Sequence, residues 1–260
     1  MIVLAIDTST DYLSLAILKD GRLAAKFHKK ARRKHSMLLV PTIEKLVKKA
    51  KLNIEKIDCF AISAGPGSFT GLRIGVTVVK ALAYALKKKI VAVPTLDVIA
   101  DNAKSFKGVI CPVLDARKNK VYACMYKSDG KHLKRLSKYL LLQVADLLKK
   151  VKAMRYNVLF LGDAIGQIFA GDIERAPKFD RGGWGDQETR SINSWVLVPH
   201  TENLGCSMAV PAKIRGKDWH PRADTVAKLG AEYFRNKKFV KAEDLEPLYL
   251  YSHECDITGR

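Results

Sequence analysis

Apolar residues fall in short blocks over the first ninety positions, and the period of the blocks changes along the chain. Ile2-Val3-Leu4-Ala5-Ile6 is an unbroken apolar run, the pattern of a strand buried on both faces. Asp7-Thr8-Ser9-Thr10 follows as a polar turn. Residues 13–18 and 23–28 read as a second and third strand joined by Asp20-Gly21, a hairpin signal. Over 36–51 the spacing lengthens. Leu39, Ile43, Leu46, Val47 and Ala50 share one helical face, and Met37, Leu38 and Val40 widen it at the start. Pro41 sits in the first turns, where a missing N–H costs little. His35, just ahead of this helix, reads more readily as a cap or surface residue than as a metal ligand. A fourth strand covers 59–62 and a fifth 90–94, and Thr95 is placed to cap a helix running to about 102.

Between the fourth and fifth strands lies the stretch around which the rest is organised. Ser63-Ala64-Gly65-Pro66-Gly67-Ser68-Phe69-Thr70-Gly71-Leu72-Arg73-Ile74-Gly75 runs from strand to turn to helix, with Ser68 or Thr70 as N-cap. Gly65 and Gly67 permit positive φ or close backbone approach. The helix carries two apolar stripes: Leu72, Val76, Val79, Ala83 and Leu86, and Ile74, Val78, Leu82 and Ala85. A helix apolar on most of its circumference is buried on two sides, so one stripe needs a second layer, from this chain or from a partner. Strand, glycine turn and helix N-terminus are the ingredients of a phosphate cradle. Neither Gly-Lys-Ser/Thr nor Gly-x-Gly-x-x-Gly is present, and a structural tight turn is the simpler reading. The Asp7-Thr8-Ser9-Thr10 turn is a second candidate for holding phosphate, or a turn satisfied by its own backbone.

A second strand–turn–strand set begins near Val109. Strands are expected at 109–114 and 121–126, a helix at 143–152 and a strand at 158–161, an order close to that of the first hundred residues. Residues 176–219, with Gly182-Gly183-Trp184-Gly185 and three prolines, show little periodicity and read as an irregular insert, with 194–198 a possible strand. A helix follows over about 221–236, and 245–251 is a last extended segment. The expected division is 1–107, 108–220 and a C-terminal piece, 221–260, that packs back on the lobes.

The chain has 260 residues, 48% of them hydrophobic, enough for one large domain or two small ones. No apolar run is expected to span a membrane. The N-terminus reads as a strand, not a signal peptide, and the expected location is the cytoplasm. Five scattered cysteines, without a Cys-x-x-Cys, fit reduced thiols. The formal net charge of +20 sets nucleic acid as a candidate partner. The basic residues stand in short groups, without the interleaved aromatics of an RNA-binding platform.

Several of these stretches together resemble one known family. They are Ile6-Asp7-Thr8-Ser9-Thr10; His35-Ser36 with Leu39 and Pro41; the glycine string Ala64 through Gly75; Val93-Pro94-Thr95-Leu96; Asp115-Ala116-Arg117 with Val121-Tyr122; Gly162-Asp163; and Pro247-Leu248-Tyr249-Leu250. The chain is similar to the TsaB family, formerly YeaZ, a subunit of the bacterial machinery for tRNA threonylcarbamoyladenosine. The glycine string is the specific part. The likeness covers 1–165 well and 221–251 loosely, and 176–219 departs from it.

The resemblance implies an α/β, two-lobe actin/hexokinase-like (ASKHA) fold with a mixed sheet in each lobe flanked by helices. It implies a subunit that dimerises with TsaD for threonylcarbamoyl transfer to N6 of the adenosine beside the anticodon, and that is not itself the transferase. The related catalytic family carries a His-x-x-x-His metal pair after the strand matching 90–93. Residues 94–100 here contain no histidine, and the six histidines include no such pair, so no catalytic and no metal-ligating residue is assigned. The implied partners are TsaD, a TsaE ATPase and, on charge, tRNA, with a homodimer when alone and no membrane. Leu39, Ile43, Leu46, Arg73, Val76, Val79, Lys80 and Ala83 are expected at the partner interface. No cofactor is required, with weak ATP or ADP binding left open at a degenerate phosphate turn, Asp7, Thr8, Ser9 and Thr10. The alternative is an ASKHA phosphotransferase or hydrolase using that turn. A metallopeptidase, a label attached to the wider family, is disfavoured because no His-Glu-x-x-His occurs.

Overall fold

The computed structural model describes residues 1–31, 33–154, 156–168, 194–199, 206–209 and 219–250. The chain forms two compact units. The first comprises Met1–Asn102 together with His220–Arg260, and the second Ala103–Trp219.

In the first unit, β1 (Ile2–Asp7) pairs antiparallel with β2 (Tyr12–Lys19), and β2 with β3 (Arg22–Lys30). On its other side β1 runs parallel to β4 (Cys59–Gly65), which runs parallel to β5 (Lys89–Pro94). The order is β3-β2-β1-β4-β5. Alternation along the strands fixes the two faces. Leu4, Ile6, Leu13, Leu15, Phe60 and Ile62 meet α1 (His35–Lys49) and α2 (Phe69–Leu86). Val3, Ala5, Ala16, Ala61 and Val91 face α3 (Thr95–Asn102) and a C-terminal helix (Ala223–Arg235), where Gly230 lies against the Ala61 methyl. His35 is the first residue of α1, and its ring lies 3.4 Å from the Tyr12 carbonyl oxygen. Ser68 is the N-cap of α2, its hydroxyl accepting from the Gly71 N–H at 3.3 Å. Thr95 is not a side-chain cap: it begins α3, and its hydroxyl is buried without a hydrogen-bond partner among the described residues.

The second unit is built on β6 (Lys107–Asp115). The strand expected over 121–126 is two strands. β7 (Lys120–Ala123) pairs with 113–115 and β8 (Tyr126–Asp129) with 107–110. Between them the chain turns away, because the Met125 N–H donates to the Ser137 hydroxyl and its carbonyl accepts from Leu136. β9 (Leu133–Arg135) adds to β8, and β10 (Leu140–Gln143) to β7. α4 (Val144–Lys152) leads to β11 (Val158–Leu161), parallel to β6, and α5 (Ile165–Ile168) follows. The run β10-β7-β6-β11 repeats β3-β2-β1-β4 in order and in sense. The likeness stops there: β12 (Ser194–Pro199) lies antiparallel on β11, whereas β5 is parallel to β4, and β13 (Cys206–Ala209) pairs with β12. The rest of the 176–219 insert lies outside the described residues.

Candidate functional site

The glycine string folds as a clasp on the Asp7 turn. Gly65 has φ +112°, a conformation that favours glycine. Beyond it, Gly67, Gly71 and Gly75 press on the turn: a Cβ on Gly67 would collide with the Ser9 carbonyl, on Gly71 with the Thr8 carbonyl, and on Gly75 with the Thr8 hydroxyl. The Ser68 N–H donates to the Ser9 carbonyl at 2.7 Å, and the Thr8 hydroxyl donates to the Gly71 carbonyl at 2.7 Å. The start of α2 thus packs backbone to backbone on the turn.

Asp7, Thr8, Ser9 and Thr10 are all buried. The Asp7 carboxylate accepts from the Ser9 N–H and hydroxyl, each at 3.1 Å, and the Thr10 hydroxyl accepts from the Tyr12 N–H at 3.3 Å. Burial pushes the Asp7 carboxyl up to about 7, against the pull of the Ser9 hydrogen bonds.

The same clasp decides which stripe of α2 faces inward. Gly71 and Gly75 lie on the face with Leu72, Val76, Val79 and Ala83, and all six are buried. This corrects the expected interface. Val76, Val79 and Ala83, with Leu39, Ile43 and Leu46 of α1, form part of the chain's own core. Arg73 and Lys80 are held by the chain's own C-terminal segment. The Arg73 guanidinium sits 3.9 Å from the Phe69 ring centroid and its Nε donates to the Tyr249 hydroxyl at 3.2 Å. The Lys80 ammonium donates to the carbonyls of Glu243 and Leu245 at 3.1 and 3.2 Å. Periodicity alone could not orient a helix that is apolar all round. The spacing Gly71-x-x-x-Gly75, which marks the face needing close approach, was the signal that had been available.

The outward face of α2 is the second stripe. Ile74, Val78 and Leu82 are half-buried, and Thr77, Ala81 and Ala85 are exposed. On α1, Met37 is 71% exposed and Val40 55%, with Leu38 beside them. Ile74, Val78 and Leu82 pack in part on the chain's own core, and the exposed apolar residues of the two helices are candidates for a contact site. α2 is also, by length and composition, apolar enough to cross a membrane, contrary to expectation. Its glycine contacts and inward stripe fix it on the sheet of the first unit.

Elsewhere, His28 and His220 gather around Tyr12, at ring-centroid distances of 5.0 and 3.8 Å. Burial lowers both histidines, His220 to about 3, so the rings are neutral at ordinary pH. No cluster of three metal-ligating side chains occurs among the described residues. α3 carries Asp97, whose carboxylate accepts from the Tyr233 hydroxyl at 3.4 Å, and buries Leu96, Val98 and Ile99. Cys59, Cys111 and Cys124 are buried thiols, and burial pushes Cys59 up to about 12. Cys255 lies outside the described residues.

Known proteins resemble this chain. A protein of Bacillus subtilis named tRNA threonylcarbamoyladenosine biosynthesis protein TsaB is 35% identical over 162 residues, covering 62% of this chain and 71% of that one. The chain belongs to the TsaB family. A family model described as TsaD, tRNA N6-adenosine threonylcarbamoyltransferase, matches residues 27–174. A tRNA N6-adenosine threonylcarbamoyltransferase of Protochlamydia amoebophila is 35% identical over 109 residues, 36% of this chain and 32% of that one. The solved structure of YeaZ from Pseudomonas aeruginosa superimposes with a TM-score of 0.69, at 24% identity, over 96% of this chain and 99% of that one. At that identity the likeness carries the fold alone.

Proposed function

We propose that the chain serves tRNA threonylcarbamoyladenosine biosynthesis as a subunit that pairs with a TsaD-type transferase and does not itself carry out the transfer. The observation that carries this reading is the outward apolar face of α2 beside the exposed start of α1. Both helices lie within 27–174, the part that matches the TsaD family model. A transferase that matches over this region would offer helices of the same kind, and two helices from each protein would then close into a four-helix contact. In the absence of TsaD, a second copy of this chain offers the same surface, which gives a homodimer.

Residue types support the non-catalytic part. The segment where the catalytic family holds its metal pair is here β5 running into α3, and its side chains are apolar, hydroxyl or, in Asp97, already bonded within the fold. The same reading gives the Asp7 turn no nucleotide. The Thr8 and Ser9 hydroxyls and the Ser9 N–H donate within the fold, the Thr10 hydroxyl oxygen accepts from Tyr12, and three glycines let α2 close on the turn, so a phosphate there would compete with the protein's own hydrogen bonds. A TsaE-type ATPase would act on the pair, in the cytoplasm.

The test is size-exclusion chromatography with light scattering, on this chain alone and with the TsaD protein of its own organism. A one-to-one complex replacing a homodimer is expected. Thr77→Arg with Ala81→Arg, both exposed on the outward face, should weaken pairing about thirtyfold or more by burying unpaired charge, with the melting temperature unchanged. A chain that stays monomeric and indifferent to TsaD would overturn the proposal.

A further inference from the structure

The three parallel strands of the first unit begin at one edge of the sheet, at Ile2, Cys59 and Lys89, and finish at the other, beside the Asp7 turn. α1 and α2 both deliver the chain to the starting edge. Their C-terminal ends carry Lys48, Lys49 and Lys51, and Lys87, Lys88 and Lys89. There the last turns of α2, the start of β5 and residues 240–243 enclose an open cleft of about 820 Å³. Five lysines and one glutamate line it: Lys80, Lys87, Lys88, Lys89 and Lys241, with Glu243. Tyr84 stands on its wall with 82% of its surface exposed.

A lysine or two at a helix C-terminus is explained by the helix dipole, and two of the five have such local roles. Lys80 is bound to the Glu243 and Leu245 carbonyls, and Lys89 lies over the Phe239 ring at 5.0 Å. Lys241 stands 3.8 Å from Glu243, a long and exposed pair. Lys87 and Lys88 have no ion pair among the described residues. Five lysines with one glutamate between them around an exposed aromatic ring leave a net positive cleft that favours a polyanion that also offers a ring to stack.

We infer that this cleft is a docking site for the phosphodiester backbone of RNA, with Tyr84 as a stacking surface for an unpaired base. The inference rests on the proposed role in tRNA modification, which makes tRNA the anionic macromolecule at hand. It assigns part of the +20 net charge to one edge of the first sheet, the edge opposite the glycine clasp.

The experiment is fluorescence anisotropy with an unmodified tRNA transcript and the full chain, between about 50 and 200 mM salt. Wild-type affinity should fall steeply with salt. Lys87→Gln with Lys88→Gln and Lys241→Gln should lower it about tenfold or more and flatten the log–log salt slope by about 2, from three lost phosphate contacts. Tyr84→Ala should lower affinity about fivefold or more with the slope unchanged. The control, Lys131→Gln with Lys134→Gln and Lys138→Gln, removes equal charge from exposed positions of the second unit and should leave affinity within about twofold. Melting curves check that each variant is folded, and Lys87→Gln and Lys241→Gln alone should each reproduce part of the loss. Equal losses in both triple variants, no loss in the first, or binding to phosphatidylserine vesicles without binding to the transcript would each overturn the inference. Pairing with TsaD is measured on the same preparations. RNA binding untouched by the cleft variants would sink this inference whatever the pairing does, whereas absence of pairing in the wild type would sink the proposed function whatever RNA does.

Discussion

At the scale of single residues, the chain places a carboxylate where water does not reach. Asp7 is fully buried, and burial pushes its carboxyl up to about 7, well above the ordinary carboxylate value. Between the unfolded and folded values the folded state holds the extra proton, so stability falls as pH rises through that window and levels off above about 7. Each unit of separation is worth about 1.4 kcal/mol. Asp7→Asn removes the titration. Urea unfolding at pH 5 and pH 8 should therefore show the wild type losing a few kcal/mol relative to Asp7→Asn across that interval; parallel stability curves would mean that the carboxylate is solvated. Gly71 is the complementary case. An alanine there improves helix propensity by ~1 kcal/mol but drives a methyl into the Thr8 carbonyl, part of a backbone fixed by β1. Gly71→Ala should be destabilising on balance by ~1–3 kcal/mol, read as a lowered melting temperature.

At the scale of elements, the contrast between the two stripes of α2 sorts core from contact surface. Val79→Arg places a charge in the first unit's core and should prevent folding, so it cannot report on pairing. Thr77→Arg with Ala81→Arg leaves the core intact and reports on pairing; Ala81 also borders the lysine cleft, so RNA binding is read from the cleft variants and not from this one. The periods of α1, α2 and the strands of the first sheet were legible because each buries a face at a fixed repeat. β9, β10 and β13 were not legible: they are three or four residues long, too short to express a period. The division between β7 and β8 was hidden for a different reason. Val121 to Tyr126 is continuously strand-like, and only the hydrogen bonds of Met125 to 136 and 137 break it.

At the scale of the molecule, the first unit is made from two distant stretches of chain. Asn102 ends one and His220 begins the other, and the Asn102 side-chain amide donates to the His220 carbonyl at 2.8 Å. The Thr225 hydroxyl donates to the same Asn102 side chain at 2.6 Å. The two cut ends are therefore already adjacent. Joining 1–102 to 220–260 through a short Gly/Ser linker should give a domain that unfolds cooperatively by itself, as judged by coincident circular dichroism and fluorescence transitions. Non-coincident or gradual transitions would show that the first unit depends on the second.

By itself the sequence determined the strands and helices of the first sheet, the capped glycine turn and the family, because these rest on local period, on residues that alone permit a given backbone, and on a string of twelve specific residues, Ala64 through Gly75. Only the tertiary structure decided which stripe of α2 lies inward, that Arg73 and Lys80 serve the C-terminal segment, and that lysines from α2, β5 and residues 240–243 line one cleft. Each of those facts joins residues far apart in sequence, and a pattern along one element carries no information about what packs against it.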